Sequence, residues 1–436
     1  MLGLLTYSLM LLTLIIGVRF RPPVAMAAVL CLYGLKQWGQ SSTTFLSDHR
    51  QITNYAVFFI ALLGLIRAAS KRSCILCRIP TAAWLILALF LYAFLSLIWC
   101  PDPTKSLEQW GIAGPYIFTI AILAPFLFTD LDDAGVAFTW TLLTGGAICI
   151  LVLAFGKWGD RGLLLYGDVY ESETNPLALA SLAGTIFVIS ALSLRRPNGI
   201  LKRLFALLCI PISLAVILKS GSRGQLIAGA AGVVVALPIA LRIRDVRSIA
   251  GLILAVGLIL GLGTWGASLV EINADRWKGN LAQKDVADRI AGAQHLLAVA
   301  NSNVLTSVFG LGNSSSFQVI GYYPHITGLE VVAEEGLVGA AMYLAIILLP
   351  IRSIIRITGQ RDSTDAQRSS LAMLAGLFTF ELILSWKQGT LLSSVYVFLY
   401  AIVLARLEEP VGASKAPASA PIETTPGLTG FPNLLR

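Results

Sequence analysis

His325 is the residue of this chain best placed to move a proton. It closes the one long polar stretch, residues 267 to 328, and stands in Tyr322-Tyr323-Pro324-His325, just ahead of an apolar run from Leu329. An unperturbed imidazole titrates near about 6.5, which suits a general base at neutral pH. Thr327 and Glu330 fit the S/T-x-x-E capping pattern, so a helix should begin directly after the histidine. Its free amides would favour the neutral ring and could hold an anion. A solvated loop histidine explains the position equally well, so both readings stand at this point.

Two arginines point to an anion. Lys219-Ser220-Gly221-Ser222-Arg223-Gly224 joins two apolar segments by a tight turn. Arg223 there opens a helix, where the macrodipole disfavours a cation. Guanidinium binds phosphate through two parallel hydrogen bonds, whereas the plainer reading is an arginine snorkelling to the membrane surface. Arg289 falls on the polar side of an expected amphipathic helix from Lys284 to Ala300, whose apolar stripe is Val286, Ile290, Ala293 and Leu297. An ion pair with Asp285 one turn earlier would also account for it.

Glu330 and Glu334 stand one turn apart, with Glu335 next in sequence. They suit a carboxylate pair, or simply an acidic first turn that complements the helix dipole. Gly336 and Gly339, followed by Ala340 and Ala341, form a small-residue face open to close approach by another helix.

These residues must be positioned by membrane spans. The chain of 436 residues is 56% hydrophobic and only 13% charged, with a mean hydropathy of +0.78; soluble domains carry about 25% charge. Segments such as 82 to 99 and 252 to 262 are apolar all round, which excludes amphipathic packing of a soluble protein. The expectation is an all-α, polytopic integral membrane protein of 12 or 13 spans. The spans fall near 2–18, 23–37, 54–69, 82–100, 111–128, 135–155, 176–194, 203–219, 224–240, 249–266, 329–350, 369–386 and 391–405. The second of these, with Gly34, Lys36 and Gly39 in or after it, decides between the two counts.

Charge sets the orientation. The net charge of +8 resides mostly in short loops on alternate sides of successive spans, among them Arg67 to Arg78, Arg195 to Arg203, Arg242 to Arg247 and Arg352 to Arg368. Those loops are cytoplasmic by the positive-inside rule, which argues against nucleic acid as the partner. Residues 101–110, 156–175, 220–223, 267–328 and 387–390 then face outward. Trp38, Trp99, Trp110, Trp158, Trp265, Trp277 and Trp386 fall near that side as an interfacial belt. The first span has no basic leader or cleavage site and reads as retained. Cys74 and Cys77 lack the further ligands a zinc site needs. The membrane domain covers 1–407, and residues 408–436, rich in Pro, Ala, Ser and Thr, read as a disordered cytoplasmic tail.

His325, ten intervening residues, Gly336, two residues and Gly339 together resemble the histidine-to-glycine motif of the bacterial O-antigen ligase and polymerase superfamily. Ser222-Arg223-Gly224, and Phe309-Gly310-Leu311-Gly312 upstream of Tyr323-Pro324-His325, are similar to other recurrent elements of that superfamily. The motifs cover about residues 203 to 350; earlier, the likeness rests on span layout and on Pro101-Asp102-Pro103 with Ser106-Leu107. It implies a glycosyltransferase C-like fold with a periplasmic catalytic loop at 267–328, in the bacterial inner membrane. The implied reaction moves a glycan from undecaprenyl pyrophosphate to an acceptor hydroxyl without metal or cofactor. His325 would be the base, and Arg223, Arg289 and Lys387 would bind the pyrophosphate. Ligases use lipid A-core as acceptor, polymerases another lipid-linked repeat. Ile326 stands where the ligases carry Asn, Ser or Gln, which leaves the acceptor open. A polyprenyl-linked glycan transporter is the reading from another class; it would call for mid-membrane charge, of which Glu381 is the main instance, and for internal repeats, which are not visible.

Overall fold

The computed structural model of the protein describes residues 2–71, 79–160, 162–167, 172–194, 199–241, 257, 261, 279–359 and 363–408, with backbone only for 2, 71 and 279–288. Its helices are α1 (Leu2–Phe20), α2 (Ala25–Leu30), α3 (Leu32–Ser42), α4 (Thr44–Asp48), α5 (Ile52–Lys71), α6 (Thr81–Leu95), α7 (Pro103–Tyr116), α8 (Leu131–Phe155) and α9 (Pro176–Ser193). There follow α10 (Ile200–Lys219), α11 (Arg223–Leu241), α12 (Gly279–Ala300), α13 (Val304–Phe309), α14 (Ser316–Ile320), α15 (Thr327–Glu334), α16 (Gly336–Gly359), α17 (Asp365–Gln388) and α18 (Val395–Glu408). Among the described residues the only β pairing is two isolated bridges, within 158–173.

Among the described residues ten helical stretches are long and apolar enough to cross a membrane, α6 and α7 being counted with the tighter or wider turns that continue them to Ile98 and Leu127. The outer helices expose Leu5, Leu9, Leu12, Leu204 and Leu208, a cost in water that a lipid surroundings removes. The chain is a multi-pass, all-α membrane protein. The expected span at 23–37 is instead two short helices broken at Cys31, with all of Ala25–Leu30 buried. Such a break is tolerated inside a membrane protein where protein, not lipid, surrounds it. The expected span at 391–405 is a buried helix of 14 residues. The expected span at 249–266 apart from Gly257 and Gly261, the loop up to residue 278, Cys74, Cys77 and the tail from residue 409 lie outside the described residues. Glu408, assigned to that tail, is helical and pairs with Arg356.

Glycines bring the central helices together. A Cβ on Gly232 of α11 would lie 2.5 Å from the Gly376 carbonyl oxygen of α17, and one on Gly184 of α9 would lie 2.4 Å from the Phe380 ring. With no hydrophobic drive between helices in lipid, this close backbone packing supplies the dispersion that holds them. It also lays α11 antiparallel along α17, so the start of one meets the end of the other.

The bundle has two distinct ends. At one, Lys219 lies 4.8 Å over the Trp158 ring, Arg289 reaches residue 387, and Asn313 is bound to Cys100 and Ser106. These are the segments that charge patterning places outside. At the other, Arg356 pairs with Glu408, and Arg406 lies 4.6 Å over Phe126. Two details differ from expectation. Residues 103–110 are not loop but the first turns of α7, capped by Asp102, because proline is preorganised for a first turn. Trp38 is buried and donates to Thr6, so it belongs to the core and not to an interfacial belt.

Candidate functional site

The end of α17 is the meeting point. An imidazole N–H of His325 is hydrogen-bonded to the Gln388 backbone, and Arg289 Nη1 donates to the Lys387 carbonyl oxygen at 3.1 Å. The Lys387 side chain lies across Gly224, its Nζ only 2.1 Å from where a Cβ would stand. Gly224 follows Arg223, the first residue of α11. Gln225, one residue further, donates to Gln388 Oε1 at 3.1 Å. His325, Arg223, Arg289 and Lys387, scattered over 165 positions of sequence, are thus gathered around two consecutive residues.

His325 itself has φ +58, in the left-handed region that non-glycine residues seldom occupy. Pro324 before it is buried, and the Tyr323 ring packs against the imidazole at 4.4 Å. Burial first and the nearby Arg289 second lower its pKa, while the bond to Gln388 acts the other way. The result is a ring kept neutral, with one nitrogen fixed as donor and the other left to accept a proton.

The helix after it does not start as expected. Ile326, not Thr327, is the N-cap and makes no side-chain cap. The Thr327 hydroxyl donates instead to the Ser385 carbonyl at 2.8 Å, and Glu330 Oε1 accepts from Leu391 N at 3.2 Å. A helix docked onto another element has more to gain from these tertiary bonds than from a local box. The expected span at 329–350 is also two helices, α15 and α16, meeting at Gly336 with φ +66.

That junction explains the glycines. A Cβ at Gly336 would fall 2.4 Å from both Gly310 N and the Val308 carbonyl oxygen, and one at Gly310 (φ +82) would fall 2.1 Å from the Glu334 carbonyl oxygen. Leu311 N and Gly312 N donate to the Ala333 and Glu334 carbonyls, and so satisfy the end of α15. Gly336 therefore admits the end of α13, as expected of a small-residue face. Gly339 does not admit a helix; its space is filled by the Glu335 side chain, 2.2 Å from a Cβ there.

Of the three glutamates, two brace the turn before α14. Glu334 accepts from Ser314 N and Ser316 N at 2.6 and 3.0 Å, and Glu335 accepts from Asn313 Nδ2 at 3.0 Å. The dipole explanation is therefore incomplete, since all three side chains are buried. Burial pushes Glu334 up to about 7 against the pull of its serine N–H bonds, and burial with Glu334 nearby pushes Glu335 up to about 8. Glu330 is raised well above the ordinary carboxylate range by the same two causes.

A cavity of about 430 Å³ opens beside His325 and is lined by Glu330, Glu334 and Glu381 among others. Its size lies in the range of small-ligand pockets. Asn175, Tyr33 and Tyr116 also line it; nothing in their sequence spacing points to a shared site. Helix α12 supports the site from outside. Its buried face is Ala293, Leu296 and Ala300, packed on Ala333, while Ile290 is exposed. The stripe is thus turned from the one expected, and the side chain of Asp285 lies outside the described residues. Among the described residues no group of three His, Cys, Asp or Glu is placed to hold a metal ion.

Compared with known protein families and with curated proteins, the chain matches none. What it does must be argued from the site.

Proposed function

We propose that the protein is an O-antigen ligase-like glycosyltransferase that moves a glycan from undecaprenyl pyrophosphate to an acceptor hydroxyl of lipid A-core, at the periplasmic face of the bacterial inner membrane. The observation that carries this reading is the convergence of a neutral, oriented His325 with Arg223, Arg289 and Lys387 at one membrane-facing end. A polyprenyl donor keeps its tail in lipid, so its pyrophosphate is met at the interface, where these cations stand. His325 takes the proton of the acceptor hydroxyl; the oxygen attacks the anomeric carbon, whose bond to the pyrophosphate oxygen breaks. The electron pair leaves with undecaprenyl pyrophosphate, and the three cations offset the charge that grows there. Such preorganised charge costs little to arrange at the moment of reaction.

Ile326 supports a second acceptor, the terminal sugar of another lipid-linked repeat, which would make the enzyme an O-antigen or exopolysaccharide polymerase. Incubation of the purified protein with lipid-linked repeat and no lipid A-core separates them: glycan lengthening marks a polymerase, and an unchanged donor marks a ligase. A transporter of the same lipid-linked glycan would need its charges deep in the bundle. Glu381 meets that requirement, but the cations gather at one end, which favours the transferase.

A further inference from the structure

Glu330 is 4% exposed, and its two oxygens have different fates. Oε1 accepts from Leu391 N, whereas Oε2 has no hydrogen-bond partner among the described residues. An unpartnered oxygen buried in protein is destabilising, and its retention at the wall of a cavity calls for a ligand. The side chain lines the cavity that His325 also lines. Aromatic faces border the same space: Tyr33 stacks on Tyr116 at 5.9 Å, and Tyr323 sits between His325 and Phe317. Among the described lining residues there is no arginine or lysine, so Arg289 and Lys387 stand beside this cavity and not in it.

We propose that the cavity is a sugar subsite in which Glu330 Oε2 pairs with a ring hydroxyl and so selects which sugar is held beside His325. A pyranose offers what such a space needs: an apolar face of C–H groups for a tyrosine ring, and a rim of hydroxyls for a carboxyl oxygen. Phosphate or a free carboxylate would find no cation among the described lining residues to offset the cost of leaving water. With its carboxyl protonated by burial and by Glu334, Glu330 donates through Oε2 while Oε1 keeps its bond to Leu391. That this sugar belongs to the acceptor rests on the transferase reading; the sugar subsite itself does not.

The test is binding, not turnover. Methyl glycosides of glucose, galactose, mannose and N-acetylglucosamine, each with its set of monodeoxy analogues, are titrated by saturation-transfer NMR into the purified full chain in nanodiscs. The expected result is that at least one glycoside binds, that one deoxy analogue binds about tenfold more weakly, and that Glu330→Leu erases this discrimination while Glu330→Gln, which keeps a donor, retains it. No binding by any glycoside, or equal discrimination in Glu330→Leu, overturns the proposal. Should the leucine variant fail to fold, carbodiimide labelling of the unmodified chain decides the matter by mass spectrometry. Labelling at Glu330 slowed by the bound glycoside supports the subsite, and unchanged labelling overturns it. Glycoside binding that depends on Glu330, in a protein that transfers nothing from a lipid-linked donor, would sink the transferase reading and leave the sugar subsite standing.

Discussion

His325 is set by three neighbours: the Gln388 backbone, to which its ring is hydrogen-bonded, Arg289, which with burial lowers its pKa, and Tyr323, which packs on the ring. Replacing His325 with alanine should lower transfer by about 10² to 10⁴ while the protein still accumulates in membranes. Transfer at the normal rate by the purified variant would remove the base from the account. Its pKa is lowered, so transfer should persist below the ordinary imidazole value before its acidic limb falls. In Arg289→Gln one of the two lowering causes is gone, and the acidic limb of the pH–rate profile should move to higher pH whatever happens to the maximum rate. A limb that stays in place would mean that Arg289 does not act on the ring. Although their meeting at the end of α17 was not legible in the sequence, His325, Arg223 and Arg289 were legible as candidates, each with a plain local explanation beside it. Glu330 was not, because an acidic residue in a first helical turn already has a sufficient local reason; only its burial against the cavity shows otherwise.

Helices α15 and α16 follow His325 and meet at a junction that only glycine fits. Gly336→Ala puts a methyl group against two backbone atoms at a positive φ, and Gly310→Ala does the same from the other side. Each should cost about 1–3 kcal/mol or more, read as a lower melting temperature in detergent together with reduced transfer; an unchanged melt would show that the junction relaxes freely. Glu335 adds a pH dependence. Its pKa in the folded protein is raised to about 8 from an ordinary carboxylate value near 4.5. The folded state therefore binds the proton more tightly, and the stability gained is full below the ordinary value and lost as pH rises through about 8. Melting temperature should fall between pH 5 and pH 8, and Glu335→Gln should make that fall shallower; an identical slope would contradict the assignment. Apolar runs were enough to locate most spans, but not the break at Cys31 or the division at Gly336. Both depend on neighbours far away in sequence that satisfy the interrupted backbone.

The whole molecule is a polarised bundle, with Arg289, Lys387 and an acid-lined cavity at one end and paired basic segments at the other. Its sidedness is open to direct measurement. A cysteine replacing exposed Glu108 should react with an impermeant maleimide added outside spheroplasts, and one replacing Arg356 should react only after lysis; the reverse pattern would turn the site to the cytoplasm. An expected sidedness was legible from where lysine and arginine collect, since that bias acts during insertion and needs no tertiary structure. The shared site was not, because it is made by the packing of α11 on α17 and by a cavity that no single segment outlines. The most direct measurement of the central claim uses the purified chain in nanodiscs, an undecaprenyl-pyrophosphate-linked glycan, and lipid A-core or a second lipid-linked repeat as acceptor. Free undecaprenyl pyrophosphate should appear together with an extended acceptor, and both should be lost in His325→Ala and Arg223→Ala. Absence of release with either acceptor, or equal release by the His325 variant, would contradict the account.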